Sequence, residues 1–247
     1  MENIHLKTIT QDDLGEVTLL VGDPGRVELI SANWDESRLL VENREFILVS
    51  GKWKGNIVSI CSTGIGVGST EIAIIELIQS GAKKLVRLGG CGSWKGDIAA
   101  GDLLMNHAMV RDPGMLSAYV SDNYPAVADV NLLQEIKFSA IQSGFSVHTG
   151  IGMTTQSYYL GQGRVHDIPN GPQPNDDFMT YWQNRNVINA EMESAVLFLL
   201  ASIYDIPAAN CLVVHVNRID DQWVPDEKYH RYHEKAAIAV LNACINK

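Results

Sequence analysis

Short apolar runs rich in branched side chains alternate along this chain with segments whose apolar residues recur every three or four positions. The first pattern reads as buried strands and the second as helices packed on them. VTLLVG, KLVRLGG, DLLMNHAMV, SVHTGIGMT and ANCLVVHVN have the strand pattern, and FILVSGKWKGNIVSICS reads as a hairpin around a Gly-Lys-Trp-Lys-Gly turn. Helices are expected in STEIAIIELIQSG, ending at Gly81, and in NLLQEIKFSAIQSG, MESAVLFLLASIYD and DEKYHRYHEKAAIAVLNACIN. Strict alternation without a linker or internal repeat predicts one domain over residues 1–247, a largely parallel or mixed sheet flanked by helices. Tyr158 to Asp177 breaks the pattern, and a Gly/Pro/Asn-rich stretch of that length inside a compact domain suggests a functional loop or lid.

Charge narrows the partners. Against 29 Asp+Glu stand 19 Lys+Arg, a net charge of −10, with no basic run, so neither nucleic acid nor an anionic membrane is an expected partner. An anionic small molecule would have to be held by a few placed arginines. MENIHLKTIT lacks a signal pattern and no stretch reaches the roughly 20 apolar residues of a membrane span, so a cytoplasmic location is expected. Cys61, Cys91, Cys211 and Cys244 form no CxxC pair, and three lie in apolar stretches, which favours packing over zinc or disulfides.

Three glycine-dense turns follow strands: GDPGR (Gly22 to Arg26), STGIGVGST (Ser62 to Thr70) and RLGGCGS (Arg87 to Ser93). Each can turn backbone N–H groups toward an anion, and an arginine adds a planar fork of donors suited to phosphate. Taken singly, each is also an ordinary turn. None is a GxGxxG dinucleotide fingerprint or a GxxxxGK[ST] phosphate loop. In EMES (Glu191 to Ser194), where an extended segment becomes a helix, carboxylates can accept from vicinal hydroxyls or simply complement the helix dipole.

The ordered series HLKTIT, GDPGRV, NREF, CSTGIGVGST, RLGGCGS, YPAVAD, GQGR, AEMES and VNR covers nearly the whole chain. It resembles the trimeric and hexameric nucleoside phosphorylases, and within them the uridine phosphorylase branch. The resemblance implies a three-layer α/β/α domain with a mixed, partly barrel-like sheet. It also implies phosphorolysis of a pyrimidine nucleoside, with inorganic phosphate as co-substrate and no required cofactor. Active sites at subunit interfaces imply a homo-oligomer, with a dimer as the active unit and a hexamer as the expected assembly. Gly22, Arg26 and Arg87 match phosphate ligands, with Arg44 of NREF lent by the neighbouring subunit. Met192 and Glu193 match ribose contacts, and His5 resembles a histidine reaching the 5′-hydroxyl from the partner chain, although on sequence alone it is a frayed terminal residue. Gln162 and Arg164 match the pair that reads uracil and stabilises its departing negative charge, Arg218 is expected to brace that pair, and Tyr158 replaces a phenylalanine stacked near the base. Arg87, Gln162, Arg164 and Glu193 are the expected catalytic set. Glu45, Ile65 and Ser69 match positions that hold a monovalent cation, potassium, between subunits in some relatives.

Departures from the pattern keep alternatives open. Gly90 stands where relatives carry a serine or threonine touching phosphate and ribose, a loss for which backbone N–H groups or Ser93 could compensate. Ala190 replaces a tyrosine, and His215 stands in an apolar strand where an aliphatic residue is usual. Purine-specific relatives use an aspartate near the end of the last core strand, where this chain reads Val216-Asn217-Arg218. A purine nucleoside phosphorylase is the first alternative, followed by a nucleosidase indifferent to phosphate and by a nucleoside-binding protein without turnover.

Overall fold

A computed structural model describes residues 3–7 and 9–245. Its helices are α1 (Gln11–Leu14), α2 (Gly25–Ser31), α3 (Val67–Gln79), α4 (Val130–Gln142), α5 (Phe178–Gln183), α6 (Ser194–Ile203) and α7 (Asp226–Ile245). The strands are β1 (Thr18–Val21), β2 (Glu36–Asn43), β3 (Phe46–Trp53), β4 (Asn56–Ser62), β5 (Leu85–Ser93) and β6 (Leu103–Arg111), followed by β7 (Ala126–Val127), β8 (Val147–Thr154), β9 (Val187–Glu191), β10 (Ala208–Asn217) and β11 (Gln222–Trp223). All belong to one sheet, ordered β11-β10-β6-β8-β9-β5-β1-β4-β3-β2, with β7 on β6. An added pairing between β10 and β5 closes β5, β10, β6, β8 and β9 into a five-stranded mixed barrel. The mixed, partly barrel-like sheet is thus present, and the expected hairpin is β3–β4.

The strands' two-residue alternation sorts the core into layers. Leu19, Val21, Val86 and Leu88 pack with α2, α4 and α7, whereas Leu20, Leu48 and Leu85 pack with α3 and α6. Being buried on both faces, β1, β5 and β10 read as continuous apolar runs. A third apolar group, including Leu104, Ile188, Leu212 and Val214, comes from the barrel strands.

The barrel also carries polar groups, each with a partner. Asn106 Nδ2 donates to Asn189 Oδ1 at 2.7 Å, and Asn210 Nδ2 donates to Asn106 Oδ1 at 3.0 Å and to Ser194 Oγ at 2.9 Å. Three interlocked asparagine amides join strands β6, β9 and β10 to the start of α6.

β5 is the pivot of the sheet. Along one edge it pairs with β10 throughout; along the other, β1 pairs with Leu85 to Arg87 and β9 pairs with Gly92 and Ser93. Between those partners, Leu88 to Cys91 have no strand on that edge among the described residues. The sheet parts there, which is where an α/β protein places a ligand.

Candidate active site

A cleft of about 690 Å³ opens at this parting. Gly22 to Pro24 after β1, Gly64 and Ile65 after β4, and the C-terminal half of β5 form one side, with Arg26 in the first turn of α2. The junction Ala190 to Glu193 lines a second side, and Tyr158, Gln162 and Arg164 a third. His215, Val216, Trp223 and Tyr229 complete the wall.

Arg87 is 5% exposed and is held by two acids. Its Nε donates to Glu191 Oε2 at 3.0 Å, and its Nη2 pairs with Glu193 Oε2. Burial works against its charge, but Glu193 and Glu191 more than compensate and raise its pKa. Nη1 remains, buried and without a partner among the described residues. Arg26 Nε is a second such orphan, only loosely paired to Asp23 at 3.9 Å. Two orphaned guanidinium donors lining one cleft make a candidate anion site, since a buried donor left unmade carries the full desolvation penalty.

Glu191 and Glu193 divide the labour. Glu191 accepts from Ser194 N and Oγ, Glu193 N and Thr154 Oγ1 as well as from Arg87, so its oxygens are saturated by the protein. Serving α6 is therefore only part of what Glu191 does: it also anchors the arginine, and only the folded geometry reveals this. Glu193 Oε1 accepts from Gly66 N at 2.6 Å. Burial pushes the Glu193 carboxyl above the usual carboxylate range, with Arg87 opposing.

Elsewhere in the lining, Gln162 is 3% exposed, and its Oε1 lies 3.4 Å from Arg164 Nε. Arg164 sits 4.4 Å from the ring centroid of Tyr158. Arg218 does not line the cleft; it lies behind this wall, donating to the carbonyls of Gln162 at 3.0 Å and Gly163 at 3.1 Å. Asn217 does not line the cleft either; its amide donates to the carbonyls of Lys95 and Ile98.

The described chain around Gly90 refines the expectation there. Ser93 offers no compensation: it is fully buried and its Oγ donates to Lys95 O. A Cβ on Gly90 would instead run into the Tyr229 hydroxyl oxygen and lie 3.1 Å from its Cζ. Sequence reasoning passed over Tyr229, which arrives from α7, and the missing side chain at position 90 was the only sign of it. His215 lines the cleft, stacked on Tyr229 at 4.0 Å and 13°. Cys91 also reaches the cleft, but burial pushes its thiol far above the usual range, so it is no thiolate nucleophile.

His5, Arg44, Glu45 and Ser69 do not line their own chain's cleft. His5 is not frayed: Glu76 accepts from the backbone N–H groups of Ile4, His5 and Leu6 and contacts His5 Nδ1 at 2.9 Å. Burial opposes ionisation of Glu76, yet these donors hold its carboxyl below the usual range. The His5 ring packs edge-on against Phe46 at 5.6 Å. Arg44 is exposed in the β2–β3 turn with φ of 55°, a left-handed conformation unusual for arginine. Glu45 beside it accepts from Ser69 Oγ at 2.6 Å.

The family model described as "Phosphorylase superfamily" matches residues 16–246. This chain belongs to the phosphorylase superfamily. Among its relatives, a uridine phosphorylase of Thermococcus kodakarensis is 39% identical over 85% of this chain and 76% of its own length. A guanosine phosphorylase of Halorubrum lacusprofundi is 32% identical over 78% and 75%. The crystal structure of a uridine phosphorylase from Vibrio fischeri superposes with a TM-score of 0.86 at 30% identity, covering 100% of this chain and 98% of that one. Of the site residues expected from sequence, Gly22, Arg26, Arg87, Tyr158, Gln162, Arg164, Met192 and Glu193 all line the cleft of this phosphorylase. Among the described residues no helix is long and apolar enough to cross a membrane.

Proposed function

We propose that this phosphorylase cleaves uridine with inorganic phosphate, giving uracil and ribose 1-phosphate. The observation that carries the reading is the pair of orphaned donors, Arg26 Nε and Arg87 Nη1, in the cleft that also holds Gln162 and Arg164. A hydrolase activating water has no use for two free guanidinium donors.

In this reading phosphate sits against Gly22, Arg26 and Arg87. Glu193 with Met192 faces the ribose, where a carboxylate accepts from vicinal hydroxyls. Gln162 and Arg164 take the uracil, a carboxamide and a guanidinium suiting its alternating acceptor and donor edge, with Tyr158 beside it. As the glycosidic bond breaks, the sugar carbon gains positive character that the phosphate dianion stabilises and then captures. Negative charge grows on the departing uracil, where Gln162 and Arg164 donate; one such placed donor contributes about 3 kcal/mol. Holding both reactants in one cleft removes an entropic barrier. No covalent enzyme intermediate is needed.

His5 and Arg44 both act on Glu45 yet neither lines its own cleft, which supports their lending donors to a second copy, as a shared site in a homodimer or hexamer requires. Ser69 Oγ lies 2.5 Å from Thr63 O and 2.6 Å from Glu45 Oε1, and its single proton serves only one of them. The acceptor left over fits a potassium ion, which would be held by Glu45, Ser69 and the Ile65 backbone as an interface brace.

The test is base release from uridine, inosine and guanosine, each with and without phosphate. Uridine cleavage only with phosphate supports the reading. Faster guanosine cleavage would move the enzyme beside its Halorubrum lacusprofundi relative, and phosphate-independent release would make it a nucleosidase.

A further inference from the structure

Tyr229 reaches the cleft from the first turns of α7 and brings its hydroxyl over Gly90, on the face of β5 that carries Val86 and Leu88. The hydroxyl occupies the space that a side chain on residue 90 would need, so such a side chain and the Tyr229 hydroxyl are alternative ways of filling one spot. That spot lies on the anion wall: Arg26 Cζ is 5.4 Å from the Tyr229 ring centroid, and both Arg26 and Arg87 act electrostatically on the phenol. The ring cannot swing freely, because His215 stacks on it at 4.0 Å and His233 meets it edge-on at 4.5 Å. A phenol held in place beside two cationic groups with donors to spare is shaped for an anion that needs one more hydrogen bond.

We propose that the Tyr229 hydroxyl is a phosphate ligand, a neutral donor that completes the Arg26 and Arg87 site in place of a side chain at Gly90. The proposal rests on the phosphorolytic reading above. Burial pushes the phenol above its usual range while the arginines pull the other way, so the proton needed for donation is present at neutral pH. Gly90 is required for this arrangement, and any larger residue there displaces the ring.

The experiment compares steady-state kinetics with uridine and inorganic phosphate for the wild type, Tyr229→Phe, Gly90→Ser and the double variant. Tyr229→Phe keeps the stacked ring and should raise the phosphate KM about tenfold, the loss of one hydrogen bond to a charged group, while the uridine KM stays within about twofold. Gly90→Ser alone should weaken phosphate use by forcing the tyrosine out. In the Tyr229→Phe background the same serine meets only the ring carbon and returns a hydroxyl, so it should bring the phosphate KM back toward wild type. An unchanged phosphate KM in Tyr229→Phe, or equal rises in both KM values, overturns the proposal while leaving phosphorolysis intact. Should the wild type fail to cleave uridine, calorimetric titration of wild type and Tyr229→Phe with inorganic phosphate decides the same question: equal affinities overturn it and a weaker variant supports it.

Discussion

Arg87 is clamped to Glu191 through its Nε at 3.0 Å, and that carboxylate also accepts from Glu193 N and from Ser194 N and Oγ. The clamp fixes which face of the guanidinium the cleft receives. Glu191→Gln should therefore raise the phosphate KM by loosening Arg87, and lower stability by about 2 kcal/mol through the weakened buried network. Urea denaturation and steady-state kinetics measure the two effects; a rise confined to the nucleoside KM would mean that Glu191 contacts substrate instead.

The two walls should separate kinetically. Arg26→Ala is expected to act on the phosphate KM, and Gln162→Ala on kcat and the nucleoside KM, with kcat/KM falling about 100-fold in the latter case. If both variants change the same parameter, the division of the cleft into an anion wall and a base wall is wrong.

The Arg218 guanidinium donates to the backbone carbonyls of Gln162 and Gly163. Arg218→Ala should thus behave as a weaker Gln162 variant, raising the nucleoside KM with the phosphate KM unchanged. Arg218→Lys keeps the charge but not the fork and should recover little.

His233 is fully buried, both ring nitrogens lack partners among the described residues, and burial holds its pKa well below the ordinary value, with Arg26, His230, His215 and Arg87 adding to the effect. The folded state keeps it neutral while the unfolded chain protonates near pH 6.5. Stability is full above that pH and is lost as pH falls below it, by up to about 1.4 kcal/mol per pH unit for this one group. His233→Leu should flatten the profile between pH 6.5 and 5 in urea melts; an unchanged slope would assign the acid sensitivity elsewhere.

A shared site can be tested by mixing. Arg44→Ala and Arg87→Ala protomers, each inactive alone, should regain activity on co-expression, because one interface then pairs an intact Arg87 with an intact Arg44. Silence in the mixture, with assembly verified by sedimentation, would place Arg44 in its own chain's chemistry.

Most of the sheet was legible because burial on both faces gives β1, β5 and β10 long apolar runs, and β6 and β8 still begin or end on apolar residues. β2 was not, since Glu36 to Leu39 are exposed on an edge strand and show no clean alternation. β9, at five residues, read only as an extended segment before EMES, so the barrel's closing strand could not be placed. The candidate site was legible where glycine turns and arginines share a short motif. Tyr229 was not: it lies 139 positions from Gly90, at the start of a helix whose sequence marks it only as amphipathic. Glu191 was visible as a residue but not as an anchor, because nothing local links it to Arg87, 104 positions away.

The parted edge of β5 has a consequence for how such an enzyme can change. Arg87 and Gly90 belong to a strand tied along its whole other side to β10, so the floor of the cleft inherits the rigidity of the barrel. Gln162 and Arg164 instead ride on an irregular stretch held by Arg218. New base preferences can therefore arise by rewriting the rim, while the phosphate floor stays the same machine part beneath successive substrates.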